Sequence, residues 1–238
     1  MIRGFYTSLS GMISAMTRQN VVADAIANVN TAGYKAERDQ QAEFGMQLAS
    51  TLTGASIGHL GTAVYPTDLT LDRSAGPIQQ TDVPTDLALE GDGLFAVRTP
   101  SGTAYTRAGD FHVDSNGTLL TPQGYPVLDT TGAPIVVSGT LTVGPDGTVD
   151  GGPQRLAIAT FPATGLVRLG DSLYGTSAPL PAATGVTVRQ GALEASNVDM
   201  DAAMTDLLSL QREFSLGSEA FSMQSDTLTT LSDLGRLK

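Results

Sequence analysis

The chain has no cysteine, no tryptophan and only two histidines, and its 13 lysines and arginines face 24 aspartates and glutamates. Without cysteine there is no disulfide, no thiol nucleophile and no thiolate metal site, while the redox compartment stays open because cytosolic and exported chains can both lack it. The net charge of −11 argues against a sequence-independent grip on phosphate backbones or anionic membrane surfaces, so nucleic acid is not an expected partner. No stretch approaches the ~20 apolar residues that span a bilayer, so membrane insertion is not expected. The first residues carry Arg3 but neither an apolar run of about 7–15 residues nor a small-residue cleavage site, so no cleaved secretory leader is expected. Aromatics make up 5 % of the chain, which leaves Val, Leu, Ile and Ala to build any core.

Catalytic constellations are missing in the same way. His59 and His112 stand in different local contexts, and neither has a second ligand at helical spacing. Gly91-Asp92-Gly93 is not followed by the Gly-Lys-Ser/Thr of a phosphate loop and reads as a turn. Asp110, Asp114, Asn116 and Gly117 fail the spacing of a calcium loop and have no glutamate at its twelfth position. No serine lies in a G-x-S-x-G elbow. No catalytic residue, metal site or cofactor is expected.

What the chain does have is a helical stripe at each end. Ile2, Phe5, Leu9, Met12, Met16, Ala23 and Ile26 recur at steps of three and four, interrupted at Gln19. Met200, Ala203, Leu207, Leu210, Phe214, Phe221, Leu228 and Leu231 repeat the rhythm near the other terminus. This is the period of a supercoiled seam. Each large side chain buried along it contributes roughly 1.5–3 kcal/mol, so the stripes need partners: each other, within one chain or between copies. The first helix is expected from Ile2 to Ala27, with Asn28, Asn30, Thr31 and Gly33 as cap and turn residues and Gly33 as a left-handed stop. The second is expected after Ser196 or Asn197, with Asp199 and Asp201 at its positive end, running to about Leu234. Gly217 falls on the second seam, either as a local weakness of about 1 kcal/mol or as a point of close helix approach.

Between the helices the pattern changes. Residues 36–63 are polar with weak periodicity and read as an extended or partly helical connector. From Val64 onward short apolar or alternating runs, among them 87–89, 94–97, 135–137, 141–143, 156–161 and 186–188, are separated by Pro and Gly. Asn116-Gly117 and Asp146-Gly147 read as two-residue hairpins with positive φ at both central positions. The expected class is α+β: long N- and C-terminal α-helices forming a coiled-coil-like unit (1–35 and 196–238), a connector (36–63) and a central all-β domain (64–195).

Three segments resemble the flagellar rod and hook protein family. Asn28-Val29-Asn30-Thr31-Ala32-Gly33-Tyr34-Lys35 is similar to its A-N-x-N-T-x-G-F/Y-K signature. Leu87 to Val127, with Glu90-Gly91-Asp92-Gly93-Leu94-Phe95, Tyr105-Thr106-Arg107-Ala108-Gly109-Asp110-Phe111 and Asp114-Ser115-Asn116-Gly117, is similar to its central β domain. Gly191-Ala192-Leu193-Glu194-Ala195-Ser196-Asn197-Val198-Asp199, followed by a helix containing Gln211-Arg212-Glu213-Phe214, is similar to its C-terminal signature. The resemblance implies a basal-body rod subunit of the proximal or distal type, exported by the flagellar type III apparatus without a cleaved signal peptide and polymerised helically with copies of itself and other rod and hook subunits. The assembly interface it points to is Ile2, Phe5, Leu9, Met12, Met16 and Ile26 on the first helix and Leu207, Leu210, Phe214, Phe221, Leu228 and Leu231 on the second. The motif turn is Asn28, Asn30, Thr31, Gly33 and Tyr34. The residues by themselves also allow a second reading, a surface adhesin or glycan-binding β domain on a helical stalk.

Overall fold

The computed structural model describes residues 2–43, 47–50, 56–60, 64–162, 165–170, 172–176 and 178–236, and the side chains of 2–6, 39–69 and 231–236 fall outside that description. Two compact units divide the chain, one of Met1–Ala27, Glu37–Thr70 and Asp199–Lys238, the other of Asn28–Ala36 and Leu71–Val198.

In the first unit, α1 spans Ile2–Ala27 as the stripe predicts. The residues expected as a connector carry strands instead: β1 (Glu37–Glu43), β2 (Gln47–Ser50) and β3 (Ser56–Leu60), followed by β4 (Val64–Leu71). β1 pairs with β4, and β2 pairs antiparallel with β3, Gln47 opposite Leu60. Apolar alternation misses them because a two-stranded ribbon is closed by its backbone ladder and carries no obligation to bury one face. α2 spans Met200–Arg236. Its cap is Asp199 rather than Ser196 or Asn197: Asp199 Oδ1 accepts the N–H groups of Asp201 (3.0 Å) and Ala202 (3.2 Å), which satisfies donors the helix cannot pair itself. The many serines and threonines of α2 stay helical by donating back to carbonyls four residues earlier, as Thr205, Ser215, Ser222, Thr227 and Thr230 do.

The second unit is all-β apart from its turns: β5 (Ile78–Gln80), β6 (Leu87–Glu90), β7 (Gly93–Thr99), β8 (Gly102–Thr106), β9 (His112–Val113), β10 (Leu119–Leu120), β11 (Ile158–Thr160), β12 (Leu166–Gly170), β13 (Leu173–Thr176), β14 (Thr187–Gln190) and β15 (Ala192–Glu194). Five strands form an antiparallel sheet in the order β11-β7-β8-β13-β12, and β6 pairs with β14 and β5 with β15. β7 is its spine. Phe95 and Val97 point to one apolar cluster with Leu87, Leu89, Phe111 and Val188, while Leu94 and Ala96 point to another with Tyr105, Phe161 and Tyr174. Burial on both faces explains why the run 94–97 is continuously apolar rather than alternating.

A repeated turn runs through the middle of this unit. Residues 114–118, 121–125, 129–133 and 144–148 form four turns of the same build. In each, the first residue's N–H donates to the fifth residue's carbonyl at 2.8–3.0 Å, and the N–H of the glycine at position four donates back to the first carbonyl at 2.8–3.1 Å. Those glycines, 117, 124, 132 and 147, have φ of 83°, 85°, 81° and 81°. Asn116 and Asp146 are not left-handed, so the expected two-residue hairpins give way to a longer turn with one left-handed position. The cause at Asn116 is Asp114, whose Oδ1 accepts the N–H groups of Asn116 (2.9 Å) and Thr118 (2.7 Å). Asp129 repeats this with Thr131 and Ala133 at 2.8 and 2.9 Å. These bonds hold the Asp114 carboxyl below its ordinary value, chiefly through the Thr118 N–H, and that of Asp129 likewise, chiefly through the Thr131 hydroxyl.

The turns let the chain return to the same place every eight residues. Leu119 N–H donates to Ile135 O, Ile135 N–H to Val127 O and Val127 N–H to Leu119 O, at 3.0, 3.0 and 2.9 Å, and all three side chains have no exposed surface. This closed three-way ring satisfies its members without a long strand. Two glycine substitutions separate conformation from space. A Cβ at Gly124 meets nothing within 4 Å, whereas one at Gly117 falls 2.7 Å from the Val137 carbonyl oxygen. In chemical denaturation Gly124→Ala is expected to cost about 1–2 kcal/mol, the left-handed penalty alone, and Gly117→Ala measurably more. Equal costs would show that the turn at Gly117 does not press on Val137.

Candidate functional site

The helical unit is organised by contacts that run in opposite directions along α1 and α2. Ser8 Oγ donates to Gln224 Oε1 (3.5 Å), a Cβ at Gly217 would lie 2.8 Å from Met12 Cγ, and Arg18 Nη1 stands 3.6 Å from Glu213 Oε2. As α1 numbers rise, their α2 partners fall, so the two helices pass antiparallel within one chain. Gly217 is therefore a point of close approach. The Arg18–Glu213 pair is exposed and weak, worth about 0–1 kcal/mol, so apolar contact governs the packing.

The seam residues divide by exposure. Leu210 is buried at 2 %, while Leu9, Met12, Ile26, Leu207 and Phe221 are half-buried. Met16 (57 %), Phe214 (39 %) and Leu228 (39 %) face solvent. The side chains of Ile2, Phe5 and Leu231 lie outside the described residues. Among the described side chains of α1 the most buried are Ser14, Ala15 and Ala25, small residues rather than the large apolar ones of the stripe. Beside the seam, α2 carries further exposed large apolar groups, Met204, Leu208, Leu216 and Met223, and Leu208 and Leu216 line one shallow depression with Gln211, Arg212 and Ser215. Surface apolar groups scattered singly are ordinary, whereas several on one helix are not.

The motif turn belongs to the β unit. Asn28 O accepts from Thr31 N–H (3.1 Å), and Thr31 Oγ1 donates to Asn28 Oδ1 (3.2 Å). Asn30 is exposed. Gly33 does not stop α1, which ends at Ala27. Its φ of 63° serves a different need, since a Cβ there would stand 2.3 Å from the Arg107 carbonyl carbon and 2.4 Å from Ala108 N; only glycine admits that approach. Tyr34 is buried at 1 %, its ring under the Arg168 guanidinium (4.7 Å to the centroid) and its hydroxyl accepting from Arg168 Nη1 (3.3 Å).

Next to it lies a buried charge cluster that the sequence did not announce. Glu194, 2 % exposed, accepts from Lys35 Nζ at 2.6 Å and Gly76 N–H at 2.9 Å on Oε1, and from Arg107 Nε at 2.6 Å on Oε2. Lys35 also donates to Ser74 O (2.7 Å), and Arg107 to the carbonyls of Leu89 (2.7 Å) and Gly93. Burial alone would push the Glu194 carboxyl up, but the Arg107 and Lys35 charges outweigh it and hold the group below its ordinary value. Burial moves Lys35 the other way, lowering it despite the Glu194 carboxylate. The one available signal was Glu194 itself, a charge inside the otherwise strand-like Ala192–Ala195; which cations it meets is a long-range matter. Among the described residues no group of three or more His, Asp or Glu could hold a metal, and no helix is long and apolar enough to cross a membrane. His112 is exposed on β9, and the His59 side chain lies outside the described residues.

Each ion of this cluster falls in a different region of family similarity. Residues 5–35, which include Lys35, match the flagella basal body rod protein model; residues 88–151, which include Arg107, match the flagellar hook protein FlgE/F/G D1 domain; and residues 189–234, which include Glu194, match the flagellar basal body rod FlgEFG protein C-terminal model. Among curated relatives, the flagellar basal-body rod protein FlgG of Bacillus subtilis is 33 % identical over 99 % of this chain and 100 % of its own length. FlgF of Caulobacter vibrioides is 36 % identical over 90 % of each chain, and FlgG of Borreliella burgdorferi 32 % over 99 % of this chain and 100 % of its own. With similarity of this extent, and the three signatures meeting at one buried cluster, the chain belongs to the flagellar basal-body rod protein family.

Proposed function

We propose that this protein is a structural subunit of the bacterial flagellar basal-body rod that polymerises helically through its terminal helices and transmits torque along the axis. The observation that carries the reading is that large apolar groups of α2 stay exposed although α1 packs on the same helix, Met204, Leu208, Leu216 and Met223 beside the seam and Phe214 and Leu228 on it; repetition of a contact through them between copies generates an open filament. In this reading α1 and α2 wrap as a coiled coil, residues 1–35 and 196–238 act as the assembly domain, and 64–195 as the β domain displayed by it. The seam residues form the interface together with these exposed groups, and the motif turn joins the two domains. The partners are further copies and other rod and hook subunits, delivered by the flagellar type III export apparatus to the basal body.

The stalk reading is less well supported. A closed stalk pairs like helices in parallel and has no role for antiparallel packing of α1 on α2 within one chain. Deleting the gene and restoring it on a plasmid tests the proposal directly. Basal bodies from the deletion strain are expected to lack a complete rod, and those from the restored strain to contain this chain along it. A deletion strain with full rods and normal swimming would refute the proposal.

A further inference from the structure

We infer that Glu194 and Asn197 clamp together the chain segments through which the β unit is joined to the helical unit, so that load on the helices reaches the β unit through one cooperative hydrogen-bonded knot. The chain passes between the units after Ala27, Ala36, Thr70 and Val198. Three of these four passages lie within two residues of a member of the knot, and the fourth lies six residues before Gly33.

Within the β unit the segments are tied to one another rather than to separate parts of the sheet. Residues 33–36 run alongside 194–197 in the same direction: Gly33 N–H donates to Glu194 O (2.7 Å) and Asn197 N–H to Tyr34 O (3.4 Å). Asn197 Oδ1 accepts from Ala36 N–H (2.8 Å), and its Nδ2 donates to Asp72 O (3.1 Å) and to Ser74 through the carbonyl (3.2 Å) and Oγ (3.1 Å). The segment 72–77 is held in turn from both sides. Asp72 N–H donates to Ala36 O (2.7 Å), Ala195 N–H to Pro77 O (2.9 Å), and Gly76 N–H to Glu194 Oε1 (2.9 Å). A Cβ at Gly76 would stand 2.0 Å from Ala195 O, so the two backbones are in direct contact. Lys35 reaches from the first segment to Ser74 in the second and to Glu194 in the third. Arg107 fixes that same carboxylate to β6 and β7 through the carbonyls of Leu89 and Gly93. Asn197 thus ties the three segments laterally, and Glu194 anchors the bundle to the sheet.

Cooperativity is the testable content. Independent bonds break one at a time; a clamp opens as a unit. Amide hydrogen exchange on the full-length protein separates the two. In Asn197→Ala, which removes a half-buried side chain, the amides of Gly33, Ala36, Asp72, Gly76 and Ala195 are expected to exchange at least tenfold faster together, with Leu119, Val127 and Ile135 unchanged. Glu194→Gln, which leaves Asn197 in place, is expected to loosen the same set. If Asn197→Ala frees only Ala36, whose acceptor it deletes, the bonds are independent and the inference falls. It falls equally if Asn197→Ala also strips Leu119, Val127 and Ile135 of protection, because the cluster is then ordinary core.

The load-carrying role rests on the rod reading and has its own readout. Cells carrying Asn197→Ala are expected to build rods but to lose swimming speed at lower medium viscosity than wild type. Equal speed at every viscosity would overturn the load role and leave the exchange result standing. A restored strain with no copy of the chain in its rods would instead sink the rod reading, without touching the clamp.

Discussion

Leu210→Asp abolishes rod assembly, releases α1 from α2 and leaves the β unit folded: this is the expected result with the widest consequences. Among the described side chains of α2, Leu210 is the most buried large apolar one. Truncating such a group costs about 2–5 kcal/mol, and the carboxylate must in addition give up water. The exposed Arg18–Glu213 pair contributes at most about 1 kcal/mol and does not offset that loss. Helical circular dichroism and α1 amide protection are expected to fall, while exchange at Leu119, Val127 and Ile135 is unchanged. Leu208→Asp makes the contrast, because Leu208 is 57 % exposed. It is expected to leave the isolated protein as helical as wild type and yet prevent rod formation. Normal rods from Leu208→Asp would show that this exposed part of α2 is not the contact between copies.

Glu194→Gln is expected to have the largest effect on the stability of the β unit. It leaves Lys35 and Arg107, 1 % and 4 % exposed, without a compensating charge, and breaking a buried pair in this way costs about 3–5 kcal/mol. For a chain of this size that corresponds to a fall of about 6–20 °C in thermal midpoint. The pH dependence gives a second check. Because the folded-state value of Glu194 lies below its ordinary one, its contribution is fully present above the ordinary carboxylate range and is lost as pH falls through the lowered folded value. The stability gap between wild type and Glu194→Gln should therefore narrow on acidification. The lowered Asp114 and Asp129 carboxyls add acid sensitivity of the same sign, but they add it to both proteins and leave the gap unaffected. A gap constant down to strongly acid pH would mean that the carboxylate charge is not what the variant removes.

The division between what was readable and what was not follows the range of the forces. α1 was legible from Ile2 to Ala27 because helix periodicity and the turn residues after it are local. The strands around Leu87, Phe95 and Val188 were legible because apolar runs between Gly and Pro are local too. The strands at 37–60 were not, since a ribbon closed by backbone bonds leaves no apolar alternation to read. Gly33 is left-handed as its local context suggests, but the cause is distant: the backbone it makes room for belongs to Arg107, 74 positions further along the sequence.

By itself the sequence determined the class, with two helix-forming ends around a β-rich middle, an acidic surface, and three signature segments in the order of one family. Those properties are set by the side chains of neighbours and by composition. Only the tertiary structure decided that α1 and α2 run antiparallel in one chain, that α2 keeps large apolar groups in solvent, and that Lys35, Arg107 and Glu194 form one buried cluster. Each of these depends on which distant residues desolvate one another, a quantity that no local pattern encodes.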